Sequence, residues 1–219
     1  MRVRTWLWIA TPIVAAALGS GSAAQSNHDL TGVWIGPYTP NLARGLTLTF
    51  QPGAEDAFRN HRGEDDPTAV CLPPGVPRAL GAPFPIEILQ DSKSVTILYE
   101  YQSTFRRIPT DGRSHAADLD PTFMGDSVGR WDGDTLVVDV IRFNERTWLD
   151  TEGHQHSDAL KVTERYRRTG PETIAYETTI DDAKTYKQPW MAARTLTRHP
   201  EWSLKEYACE ENNKVGRPR

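Results

Sequence analysis

The sequence predicts an all-β protein: an antiparallel up-and-down barrel with one short helix and long rim loops. Two observations carry this. Apolar and polar residues alternate with period two through most of the chain, the pattern of strands with one buried face. Turn signals punctuate those runs at nearly regular intervals, and helical periodicity is almost absent. Consecutive hairpins build an antiparallel sheet, and a sheet this long closes on itself or folds into a two-sheet sandwich. Roughly ten strands make a barrel wide enough for a small ligand.

The first segment is a leader rather than a strand. Arg2 and Arg4 precede an apolar run from Trp6 to Leu18, and the small residues Gly19-Ser20-Gly21-Ser22-Ala23-Ala24 follow. A positive start, a short apolar centre and a Ser22-x-Ala24 pattern read as a secretory signal peptide over 1–24, leaving one domain over 25–219. The run is too short to cross a bilayer comfortably, which takes about 20 residues, so no stable membrane anchor is expected. The expected location is the periplasm or the cell exterior.

The strands then follow in order. Residues 30–36 and the alternating Leu46-Thr47-Leu48-Thr49-Phe50 read as the first two. Residues 53–61 are polar with alanine and read as the short helix. Residues 63–85 hold Asp65-Asp66-Pro67, Pro73-Pro74-Gly75 and Pro77, which favours an irregular rim. Strands over 85–90 and 94–101 are joined at Asp91-Ser92-Lys93. Those over 128–131 and 135–143 flank Asp132-Gly133, a strong hairpin signal. Further pairs cover 160–167 with 173–180, and 190–197 with 204–209.

The chain has 219 residues and a net charge of −4 at pH 7, and both leader arginines are lost on cleavage. A mildly acidic chain argues against a nucleic-acid partner. Its only two cysteines are Cys71 and Cys209. In an oxidising compartment such a pair reads as a disulfide, tying the rim to the last strand, with two free thiols as the alternative.

The segment Gly32-Val33-Trp34 resembles the Gly-x-Trp that opens the first strand of lipocalin-type barrels. A wider resemblance rests on Cys71-Leu72-Pro73-Pro74-Gly75-Val76-Pro77-Arg78, on the stretch from Met124 through Trp131-Asp132-Gly133-Asp134 to Asp139, and on His156-Ser157-Asp158-Ala159-Leu160. These are similar to a large family of exported bacterial proteins. The resemblance implies a lipocalin-like barrel and an exported location, and no catalytic residues.

Alternation sorts the faces. Glu164 shares a face with Leu160, Val162 and Tyr166, so it is expected inside the barrel. Tyr176 faces inward with Ile174, Thr178 and Ile180, and Tyr101 with Val95, Ile97 and Tyr99. Asp139 lies in a strand apolar on both faces and is expected to need a partner, with Arg106, Arg107, Arg142 and Arg194 as candidates. Glu164 and Asp139 read either as a structural ion pair or as acid/base groups.

The loop over 144–158 is long for a hairpin and rich in chemistry. Asn144 and Trp148 offer ligand contacts; Asp150, His154, His156 and Asp158 offer proton transfer. A histidine beside a carboxylate is the natural base near neutral pH. His156 reads either as that base or as a loop crosslink. His154-x-His156 resembles the cupin His-x-His pattern, but no third ligand is indicated by spacing, so no metal site is assigned. Gly125-Asp126-Ser127-Val128-Gly129 fits Gly-x-Ser-x-Gly without the strand-to-helix elbow. No phosphate loop is present, and no cofactor is expected.

Two functions follow as expectations. One is a cofactor-independent lyase, isomerase or cyclase acting on a small apolar or aromatic molecule. His156 would move the proton with Asp139 or Glu164, Arg106 would hold an oxygen, and Tyr101, Asn144, Trp148, Tyr166 and Tyr176 would line the pocket. The other is a periplasmic binding protein or carrier for the same ligand without catalysis. A purely structural envelope protein, its barrel filled by its own side chains, is a third possibility.

Overall fold

The computed structural model describes residues 28–212, so the leader over 1–24 lies outside the described residues. Nine strands form one antiparallel sheet that curls into a nearly closed barrel: β1 (Gly32–Ile35), β2 (Ile86–Gln90), β3 (Ser94–Tyr99), β4 (Thr104–Pro109), β5 (Asp126–Asp132), β6 (Thr135–Ile141), β7 (Lys161–Gly170), β8 (Thr173–Asp181) and β9 (Trp190–Arg198). Their order is β4-β3-β2-β1-β9-β8-β7-β6-β5, so the first strand pairs with the last and the seam falls between β4 and β5. Side chains close that seam. Arg106 Nη1 reaches Ser127 Oγ at 3.4 Å, and a Cβ at Gly129 would lie 2.9 Å from Ile108 Cγ2, so the two edges approach only because residue 129 is glycine.

The turns form where polar residues can satisfy backbone donors. At 91–94, Asp91 Oδ1 accepts from the Lys93 and Ser94 N–H groups at 2.7 and 2.8 Å. Between β5 and β6 the turn residues are Gly133 and Asp134, one later than the expected Asp132-Gly133. Asp132 pairs with Thr135, and only Gly133 takes a positive φ, 58°. Helix α1 (Ala54–Asn60) forms as expected, with Glu55 and Asp56 in its first turn and Arg59 in its last, matching the helix dipole.

Three strand expectations are corrected. Residues 46–50 form no ladder strand; Phe50 makes a lone bridge to Tyr186. Their alternation is real, but the adjoining edge of β9 lies beyond pairing, and backbone bonds run instead from Lys187 N to Thr49 O and from Gln51 N to Thr185 O. Residues 204–208 are also no strand, and Cys209 opens a single helical turn, Cys209–Asn212. That tail is held by Lys205 N on Glu100 Oε2 (2.8 Å) and by Ser103 Oγ on Tyr207 O (3.0 Å). Conversely β4 forms where no strand is expected, because its register with β3 overrides a polar sequence.

The core is the barrel interior, with Trp34, Ile88, Ile97, Ile108, Leu136 and Ile174 fully buried. Cys71 and Cys209 are disulfide-bonded, with Cα atoms 5.7 Å apart, so the rim segment is joined to the C-terminal tail across 138 residues. No helix among the described residues is long and apolar enough to cross a membrane.

Candidate functional site

Inside the barrel, four strands converge on Glu164. Register sets this: Glu164 on β7 stands beside Val138 and Thr178, Tyr166 beside Tyr176, and Arg106 on β4 beside Ile97. Glu164 Oε2 accepts from Arg106 Nη1 at 2.7 Å, and its Oε1 accepts from the hydroxyls of Tyr166 (2.9 Å) and Tyr176 (2.8 Å). Arg106 also donates from Nε to Tyr99 Oη at 3.0 Å and from Nη2 to Tyr166 Oη at 3.3 Å. Burial opposes the Arg106 charge, but Glu164, with Tyr99 and Tyr166 adding to it, outweighs burial and holds the guanidinium well above its ordinary value. Burial pushes the Tyr99 hydroxyl up to about 12, against the pull of Arg106. Burial, with Glu164 adding to it, raises Tyr166 and Tyr176 well above theirs. The tyrosines therefore stay protonated: Tyr166 and Tyr176 donate to Glu164, and Tyr99 accepts from Arg106. The result is a closed, mutually satisfied network.

Asp139 is not part of it. It points outward from β6, half exposed, and pairs with Arg130 at 3.1 Å while accepting from Thr163 Oγ1 at 3.3 Å. The expectation of a buried Asp139 seeking Arg106, Arg107, Arg142 or Arg194 is thus corrected. A both-faces-apolar strand misled the assignment, because Val137 is covered while its alternate neighbour Asp139 is not.

The 144–158 loop is a built structure. His156 is buried; its Nδ1–H donates to Ser157 O (3.0 Å), so its Nε2 accepts from the Thr147 hydroxyl (2.6 Å). Burial lowers its pKa, only partly offset by the Ser157 bond and the charges of Asp182 and Glu145. Both nitrogens are used, and no carboxylate bonds the ring. His154 instead forms the histidine–carboxylate pair, Nδ1 to Asp150 Oδ2 at 2.7 Å, with Phe58 of α1 stacked on its ring at 4.4 Å. Asp150 Oδ2 also accepts from Leu42 N at 2.8 Å, and its Oδ1 from Glu152 N at 3.0 Å. Asn144 Oδ1 accepts from Arg146 N at 3.1 Å, and Trp148 packs edge-on to His61. Asp158 pairs with Lys184. Among the described residues, no three histidine, cysteine, aspartate or glutamate side chains gather where they could hold a metal ion.

An open site lies at the barrel mouth, where β1 is too short. β9 pairs with β8 from Trp190 to Thr197, but with β1 only at Thr197 and Arg198. The free stretch of β9 faces the segment over 37–46, and a cavity of about 440 Å³ opens between them. Tyr38, Asn41, Arg44 and Leu46 line one side; Met191, Ala192 and Arg194 line the other. Arg194 rests its guanidinium over the Tyr176 ring at 5.5 Å, the ring whose hydroxyl bonds Glu164. Its Nη1 is buried without a partner, as is Asn41 Oδ1. Burial lowers the Arg194 pKa against the opposing pull of Tyr176, Tyr166 and Glu164. Tyr38 and Thr39 also border a smaller cavity of about 150 Å³, lined by Phe84 and Tyr101 with their rings stacked at 5.3 Å.

Of the residues singled out in the sequence, Glu164, Arg106, Tyr166 and Tyr176 are brought together in the interior. Tyr101 lies in a turn at the mouth rather than on β3, and His156, Asn144 and Trp148 sit in the rim loop. Neither mouth cavity is lined by His156, Asp139 or Glu164. The sequence reading missed Asn41 and gave Arg194 the wrong role. Sorting strand 190–197 by alternation would have found the latter, since Trp190, Ala192, Arg194 and Leu196 share one face. The chain matches no protein-family model and no curated protein.

Proposed function

We propose that this is an exported binding protein or carrier for a small, partly apolar or aromatic molecule held at the barrel mouth. The observation that carries the reading is the cavity left where β1 stops short of β9, lined by Arg194 and Asn41, each of which carries a buried polar atom without a partner. Such a cavity, partly apolar with a few convergent polar groups, is the usual form of a small-molecule site. Export is supported by the leader pattern over 1–24 and by the Cys71–Cys209 disulfide, which suits an oxidising compartment. The acid/base enzyme is the second reading. It is favoured by the Asp150–His154 pair rather than by His156, whose two ring nitrogens are already engaged.

Amide NMR of the mature protein, titrated with a panel of small aromatic compounds, tests the proposal. Perturbations grouped at Tyr38, Thr39 and residues 191–194 are expected. Perturbations elsewhere, or none, overturn it. Mass spectrometry of the recovered compounds separates the readings, because a carrier returns them unchanged.

A further inference from the structure

Arg194 differs from Arg106, the inward arginine locked to Glu164, in having no carboxylate beside it. Among the described residues it makes no ion pair, and the carboxylate closest in kind, Glu164, is already taken by Arg106 and two tyrosines. Yet the fold makes room for it deliberately. A Cβ at Gly81 would lie 3.0 Å from Arg194 Nη1, and a Cβ at Gly36 would lie 3.6 Å from its Cδ and 3.0 Å from Leu196 Cδ2. Two glycines thus form a socket for a side chain whose charge is left uncompensated. Burying a charge in this way is costly unless a partner arrives.

The cavity beside it has a matching character. Arg44 and Arg194 line it, and among the described residues no aspartate or glutamate does. That runs against the composition of the chain, which has 29 acidic and 25 basic residues. The remaining wall is apolar or neutral, with Leu42, Leu46, Met191 and Ala192.

Resting on the binding reading above, we infer that the mouth cavity takes a small organic carboxylate. Its carboxylate pairs with the Arg194 guanidinium, and its apolar body lies against Leu46, Met191 and Ala192. A guanidinium offers a planar fork of donors that matches a carboxylate, which favours this class over a neutral ligand. Asn41 lines the same cavity, and its Oδ1 is buried without a partner. Arg44, exposed on the wall, steers anions toward the mouth without being the anchor.

Calorimetry and NMR with benzoate and its neutral isostere benzamide test this on the mature protein. Benzoate is expected to bind at least tenfold more tightly, with perturbations at residues 191–194, and to lose affinity as sodium chloride is raised while benzamide does not. Arg194→Met should erase the preference of benzoate over benzamide. Gly81→Ala, which keeps the charge but fills its socket, should reduce it. If benzamide binds the cavity as tightly as benzoate, and salt affects both alike, the carboxylate assignment falls and the small-molecule site stands. If neither perturbs the cavity, both fall. The salt comparison uses the unaltered chain, so it decides even where Arg194→Met does not fold.

Discussion

Arg106 and Arg194 both point into the barrel, and they have opposite fates. Arg106, on β4, lies over the Tyr99 ring and is locked to Glu164 at 2.7 Å. Arg194, on β9, lies over the Tyr176 ring and has no carboxylate. The pKa shifts follow: the Arg106 guanidinium is pushed well above its ordinary value, and the Arg194 guanidinium is pulled below it. Strand placement and aromatic support are alike, so the counter-ion makes the difference. In the interior, the network closes on itself and serves the fold. At the mouth, the short β1 leaves a charge beside open space, which is the condition for binding something from outside.

The largest test of this contrast removes a carboxylate. Glu164→Gln leaves Arg106 buried beside a neutral amide and should cost about 3–5 kcal/mol of stability, since breaking a buried pair strands its partner's charge. Arg194→Met removes a charge that has no partner and should leave stability unchanged or slightly higher. Urea denaturation of both variants measures the two values on one scale. Equal losses would break the comparison, because Arg194 would then be as structural as Arg106.

Next in size is the disulfide. Replacing both Cys71 and Cys209 by alanine should cost about 2–5 kcal/mol, by the chain-entropy account of a long closed loop. The bond joins the tail to the rim, where Phe84 and Tyr101 pack against Tyr207. Hydrogen exchange should therefore rise at residues 71–84 and 101–103 and stay low at 106 and 164. Uniform loss of protection would mean that mouth and interior unfold as one unit.

The interior was the legible part of the sequence. Period-two alternation places Glu164, Tyr166 and Tyr176 inside without any knowledge of their partners, because a one-residue error would turn the whole strand over. Arg106 was legible only as a charged residue in polar surroundings, since β4 has little strand character apart from its ladder with β3. The mouth was illegible for a different reason. It arises from a length mismatch between β1 and β9, strands that are neighbours only in the folded sheet, and no local pattern records which strands become neighbours. The segment over 46–50 shows the same limit. It alternates like a strand, yet its backbone bonds run to residues 185–187 and leave the β9 edge open.

His156 shows a third treatment of a buried ionisable group: it is neither paired nor left charged, but kept neutral. Its Nε2 acceptance from the Thr147 hydroxyl requires the neutral ring, whereas its Nδ1–H bond to Ser157 O serves either form. Burial lowers its pKa below the ordinary 6.5. The unfolded chain therefore binds this proton more readily than the fold does, and the stability it contributes is full above pH 6.5 and lost as pH falls through the depressed value. Asp66 and Asp182, also lowered in the fold, keep their contributions until pH drops below their ordinary 3.8, so the two windows separate. Stability measured by urea denaturation between pH 7.5 and 5 should decline in the native chain and decline less in His156→Gln. This is the smallest of the expected effects. Identical pH profiles would mean that the ring gains its proton in place, with Thr147 turning to accept it. His156 would then be free to exchange protons, and the acid/base reading would regain the residue on which it was first built.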